Sequence, residues 1–131
     1  MAGTWEAATT QRPRIVLVDD AADLRTLMRI TLERDGMEVV GEGGDGQAAI
    51  DLAGRLHPDV LVLDLAMPVM DGLEALPGVL AASPTTAVVV VSGFDDTLGP
   101  AAVAAGAAGY ICKDAQLAEL GKRLRALLHA A

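Results

Sequence analysis

One tryptophan, one tyrosine and one phenylalanine are the entire aromatic content of this chain, so its core has to be built from aliphatic side chains. A core of Val, Leu, Ile and Ala suits parallel strands covered on both faces by helices. Cysteine is just as scarce, and the single Cys112 excludes an internal disulfide. No apolar run approaches the ~18 residues that a membrane-crossing helix requires. The opening MAGTWEAATTQRPR carries neither the basic nor the apolar segment of a secretion signal, which reads as a cytoplasmic protein with no membrane partner. Positive charge is also in short supply. Ten Lys and Arg stand against 18 Asp and Glu, and the net charge of -8 argues against direct binding to nucleic acid.

What is present is a rhythm. A length of 131 residues fits one domain. Residues 1–13 are small and polar and end in a proline, which reads as a flexible N-terminal tail ahead of a domain at 14–131. From there, β-branched runs recur at 15–18, 37–40, 60–63, 87–91 and 109–112, and each predicts a strand. Helix-length segments follow at 21–34, 46–56, 71–82, roughly 96–106 and 115–129. In the last of them Leu117, Leu120, Leu124, Leu127 and Leu128 form one stripe that should pack on a sheet. Pro77–Gly78 should interrupt the third helix and Gly99–Pro100 the fourth, whose start is set near Gly99 with residues 93–98 as a loop. Five β-α units with short links predict an α/β fold, a doubly wound parallel sheet.

Residues 41–46, GEGGDG, match the G-x-G-x-x-G string that cradles a dinucleotide pyrophosphate, with an apolar run before and a helical one after. The charges argue otherwise. Glu42 and Asp45 would place two carboxylates where phosphates should rest on a helix N-terminus, so the string reads as a turn between strand two and helix two.

In a doubly wound sheet, ligands bind beyond the carboxyl ends of the strands. Strand one ends in Asp19–Asp20, strand three in Asp64 and strand four in Ser92, while strand five runs into Lys113. Taken singly, each has an ordinary explanation as a helix cap, a loop hydroxyl or a solvated charge. Together they place three carboxylates, a hydroxyl and an ammonium on one edge. Two carboxylates ~4 Å apart repel by about 4 kcal/mol at an effective dielectric of ~20, so such a group demands a cation or raised pKa values. Hard oxygen donors select Mg2+, and a carboxylate beside that ion can act as a nucleophile toward phosphorus.

The segments D19-D20, D64-LAMPVMDG, VS92GF and GY110ICK113DA closely resemble the receiver domain of bacterial two-component response regulators, most of all the NarL/LuxR subfamily. The likeness spans about Arg14 to Leu128. It implies a flavodoxin-like (βα)5 fold with strand order 2-1-3-4-5, the order that receivers share with flavodoxin. It implies that Asp64 accepts a phosphoryl group from a sensor histidine kinase or phosphotransfer protein. Asp20 would ligate Mg2+ directly and Asp19 mainly through water, joined by Asp64 and the main-chain carbonyl of Ala66. Ser92 and Lys113 would contact the phosphoryl group, and Ser92 with Tyr110 would switch the face formed by helix four, strand five and helix five. The implied partners are a downstream output protein or a C-terminal DNA-binding domain, with a phosphorylation-dependent homodimer as a further form. The implied role is regulatory, with no enzyme activity beyond self-phosphorylation and self-dephosphorylation.

Departures from the pattern carry their own expectations. Asp114 follows Lys113 where many receivers have proline, so a trans bond is expected there. Ala66 and Phe94 stand where the family tunes the lifetime of the phosphoryl group, and neither has a polar side chain to position water. His57 and His129 read as surface histidines and Cys112 as a small strand residue. Two other functions compete: a receiver-like adaptor that is never phosphorylated, which the intact acidic set disfavours, and an aspartate-based phosphohydrolase, which would want an acid where Ala66 stands.

Overall fold

Five aliphatic runs pair into one parallel sheet. In the computed structural model, which describes residues 12–93, 98–113 and 115–129, the strands are β1 (Arg14–Val18), β2 (Glu38–Gly43), β3 (Val60–Asp64), β4 (Ala87–Ser92) and β5 (Gly109–Cys112). Their order is β2-β1-β3-β4-β5, as the resemblance implied. The connecting helices are α1 (Ala22–Arg34), α2 (Gly46–Leu56), α3 (Gly72–Ala82) and α4 (Leu98–Ala104). A 3-10 turn at Ala115–Glu119 leads into α5 (Leu120–His129), so the last predicted helix is split in two. Phe94, most of the expected loop at 93–98, the Lys113–Asp114 bond and nearly all of the expected tail fall outside the described residues.

The strands are apolar throughout because both faces of the sheet are covered. Ile15, Leu17, Val60, Val62, Val89 and Val91 form one core with Met28 and Leu32 of α1 and with Leu120 and Leu124 of α5. Val16, Val18, Leu61, Leu63, Val88 and Val90 form the other, against α2, α3 and α4. The leucine stripe of the last helix faces the sheet as its spacing predicted.

Two expectations need correction. The string GEGGDG is not simply a turn: Gly41–Gly43 belong to β2, with Glu42 paired to Leu17 and Gly43 to Val18. Close approach favours glycine there, since a Cβ on Gly43 would lie 2.8 Å from Ala48 Cβ and one on Gly41 would push Leu56 Cδ1 aside from 2.9 Å. Only the next two residues form the connection, and Asp45 caps α2 by accepting from the Ala48 amide at 2.8 Å. Nor do Pro77–Gly78 interrupt the third helix, because α3 continues through them to Ala82. Its start is fixed by a capping box in which Asp71 accepts from the Glu74 amide and Glu74 from the Asp71 amide. Ala75, Leu76 and Val79 then bury one face, while Pro77 lies on the exposed side. The fourth helix begins at Leu98, which places Gly99–Pro100 in its first turn, where proline is tolerated.

Candidate functional site

The crevice is made by where the strands stop. β1 ends one residue before Asp19, Asp64 and Ser92 are the last residues of β3 and β4, and Lys113 follows β5. Asp19 and Asp64 are almost fully buried and Asp20 is exposed, yet carboxylate oxygens of all three lie within 4.8 Å of one another. Lys113 Nζ sits 3.1 Å from Asp19 Oδ2 and 3.0 Å from Asp64 Oδ2. Among the described residues neither oxygen has a well-aligned hydrogen bond, so the contacts with Lys113 are ionic rather than directional. The other oxygens are tied to the backbone: Asp64 Oδ1 accepts from the Ala66 amide at 3.0 Å and Asp19 Oδ1 from the Ala21 amide at 2.8 Å.

Burial dominates the protonation of Asp64. It raises the pKa from 3.8 to about 6, against the lowering effects of the Ala66 amide and Lys113. For Lys113, burial works against the charge, but the contacts with Asp64 and Asp19 outweigh it and hold the pKa above the ordinary 10.5. Three carboxylates against one ammonium leave an excess of negative charge that a divalent cation matches. The donor set is all oxygen, as Mg2+ requires.

Ser92 is 1% exposed, and its Oγ has no hydrogen-bond partner among the described residues. Leaving a buried hydroxyl unpaired costs about 1–3 kcal/mol, which a bound acceptor would recover. Its neighbour in register is Cys112, and its carbonyl accepts from the Lys113 amide at 2.8 Å, so β4 and β5 hold Ser92 and Lys113 side by side. Ala66 is exposed beside Asp64. Tyr110 is not in the crevice. It is 38% exposed on the edge strand, with its ring so close to the first turn of α4 that a Cβ on Gly99 would lie 2.4 Å from Tyr110 Cδ2.

His57 and His129 are both exposed, as expected, but His57 is more than a surface group. It ends α2 in the left-handed conformation at φ 45°, with Nδ1 3.1 Å from the buried Ser83 Oγ. Sequence reasoning also missed the supports of the crevice. Gly72 lies so close beneath Asp64 that a Cβ would sit 2.2 Å from its carbonyl oxygen. Arg25 donates to the Asp19 carbonyl. The D-G of MPVMDG could have signalled the first, but nothing in the local pattern marks the second.

Comparison with known proteins shows the family. The response regulator receiver domain matches residues 15–125. The chain belongs to that family. It is 40% identical over 115 residues to the nitrate/nitrite response regulator protein NarP of Escherichia coli, covering 86% of this chain and 54% of NarP. It is 41% identical over 114 residues to a protein-glutamate methylesterase/protein-glutamine glutaminase of Azospirillum brasilense, covering 82% of this chain and 28% of that protein. The chain therefore spans about half or less of the length of these relatives. Among solved structures, the receiver domain of the putative response regulator NarL from Mycobacterium tuberculosis superposes with a TM-score of 0.84 at 32% identity, covering 92% of this chain and 99% of that one. The response regulator domain of Thermotoga maritima CheB gives 0.79 at 28% identity, covering 92% and 96%.

Proposed function

We propose that Asp64 takes a phosphoryl group from a phosphohistidine of a kinase or phosphotransfer protein, and that the acyl phosphate so formed switches this domain. The observation that carries the reading is the setting of Asp64: 1% exposed, one oxygen fixed by the Ala66 amide and the other against Lys113. An Asp64 oxygen attacks phosphorus and the P–N bond to the histidine breaks; its electron pair stays on the ring nitrogen, and with a proton on the other ring nitrogen the histidine departs as neutral imidazole. Only the ionised carboxylate can attack. With a pKa of about 6, Asp64 is mostly ionised at neutral pH. Lys113, 3.0 Å from Asp64 Oδ2, would pair with the transferred oxygens, and the Ser92 hydroxyl, unpartnered among the described residues, would donate to them.

The carboxylates of Asp20 and Asp64, the Ala66 main-chain carbonyl, and Asp19 through water are the groups that would hold Mg2+. When bound, the ion neutralises charge on the phosphoryl oxygens and orients them. Drawing Ser92 toward the phosphoryl group would let Tyr110 leave its place on Gly99, which changes the face made by α4, β5 and α5. That face would meet the output partner, a separate protein, a linked domain or a second copy of this chain. The activity is regulatory, and an intracellular setting follows from the kinase partner. Among the described residues no helix is long and apolar enough to cross a membrane.

Intact-mass measurement after incubation with a small phosphodonor and Mg2+ tests the assignment. Wild type should gain one phosphate and Asp64→Asn none. Equal labelling of the two would sink it.

A further inference from the structure

Gly41 and Gly43 of GEGGDG are explained by the closeness of α2 to β2, but Glu42 is not. Its side chain is about a quarter exposed and takes two arginines from α1: Arg25 Nε lies 3.3 Å from its Oε1, and Arg29 contacts its Oε2. The arginines differ in what else they touch. Arg25 Nη1 donates to the main-chain carbonyl of Asp19, and among the described residues Arg29 makes no such second contact.

The carbonyl that Arg25 holds belongs to the peptide unit joining Asp19 to Asp20. The orientation of that unit sets the directions in which both carboxylates leave the backbone. Everything else on Asp19 is already engaged: its amide donates to the Gly43 carbonyl at 3.0 Å, Oδ1 accepts from Ala21, and Oδ2 faces Lys113. The Ala21 N-cap of α1 supplies no side-chain hydrogen bond to stiffen the turn. The guanidinium fork is suited to this place because it spans two acceptors at fixed geometry, the Glu42 carboxylate and the Asp19 carbonyl.

We propose that Arg25, anchored by Glu42, is a positioning residue for the acidic crevice: it fixes the Asp19–Asp20 peptide so that the two carboxylates are set for a divalent cation. Glu42 of the glycine string thereby acquires a role. The inference rests on the Mg2+ reading given above, and the charges make it separable from simple electrostatics. Removing a cation beside an acidic cluster should tighten Mg2+ binding through space. Removing a positioning group should weaken it.

The test is calorimetric titration of the full chain with Mg2+, for wild type, Arg25→Ala, Arg25→Lys, Arg29→Ala and Asp20→Asn, each shown to be folded by urea unfolding. Groups that orient metal ligands are typically worth 10–100-fold in affinity, and Arg25→Ala should weaken binding about tenfold. Arg25→Lys keeps the charge but cannot span both acceptors, and it should lose a few-fold. Arg29→Ala, which strips Glu42 of its other partner, should stay within about twofold of wild type because exposed charges are largely screened. Wild-type or tighter binding by Arg25→Ala, with binding lost in Asp20→Asn, would overturn the positioning role and leave the metal site standing. Wild-type binding by Asp20→Asn would overturn the metal site and this inference with it. If Arg25→Ala does not fold, Arg25→Lys decides: a few-fold loss supports the role and unchanged affinity removes it.

Discussion

Asp64 sits at the end of β3 with its pKa raised by burial from 3.8 to about 6, which ties the stability of the apo protein to pH. The folded state holds this proton more tightly than the unfolded chain does. The resulting stabilisation is fully present below about pH 4 and is lost as pH rises through 6. Asp64→Asn cannot ionise and escapes that loss. In metal-free buffer the variant should match wild type most closely near pH 4 and become the more stable of the two by pH 7. The difference is bounded at about 3 kcal/mol by the size of the shift and reduced by whatever Lys113 loses with one partner gone. Urea unfolding of both proteins at several pH values reads this directly. A difference that does not grow between pH 4 and 7 would show that Asp64 is not held above its ordinary pKa. The identities at this scale were legible: Asp19, Asp20, Asp64, Ser92 and Lys113 are polar residues at the ends of apolar runs, and in a parallel sheet those ends share an edge.

The elements followed their apolar periodicity, apart from the glycines that extend β2 and the 3-10 turn that opens the last helical segment. Pro77 stands inside α3, where it has no amide to give to the Leu73 carbonyl and its ring crowds that group. The helix persists because the capping box fixes its start and because Ala75, Leu76 and Val79 are buried beneath it. Local propensity was outweighed by packing. Since Pro77 points to solvent, Pro77→Ala should restore the hydrogen bond without disturbing the core. The gain should be about 1–2 kcal/mol after the greater freedom of the unfolded chain is deducted. A higher urea midpoint at unchanged slope is the expected result. A lower midpoint would mean that proline relieves something in α3 that its hydrogen bonding does not show. In α4 the proline falls in the first turn instead, and the helix is only seven residues long with Gly99 and Ala102 buried. Its stability depends on contact with β4 and β5 rather than on its own sequence.

Across the whole molecule, the acidic crevice is a charge imbalance built into a rigid frame, and a cation that binds only the folded state must stabilise it. At free Mg2+ a hundredfold above its dissociation constant the gain is about 2.7 kcal/mol. The melting temperature of wild type should therefore climb with Mg2+, and that of Asp20→Asn should not. An equal rise in both would point to general screening of the net charge of -8 rather than to a site. The frame itself is held from both sides, with α1 and α5 on one face and α2, α3 and α4 on the other.

The sequence alone determined the apolar strand runs and the edge of the sheet at which Asp19, Asp20, Asp64, Ser92 and Lys113 gather, because both follow from apolar runs and from what stands at their ends. It could not determine that Gly41–Gly43 extend β2, since glycine carries no strand signal and only pairing with β1 and the nearness of α2 assign it there. It could not show that Tyr110 rests on Gly99, a contact between an edge strand and a helix eleven residues earlier. Nor could it join Arg25, Glu42 and Asp19. Those three come from a helix, a strand and a loop, and they meet only because β1 and β2 pair in one register and α1 packs across both. Hydrophobic order is written along the chain, whereas hydrogen bonds between distant groups exist only once the register of the sheet has been set.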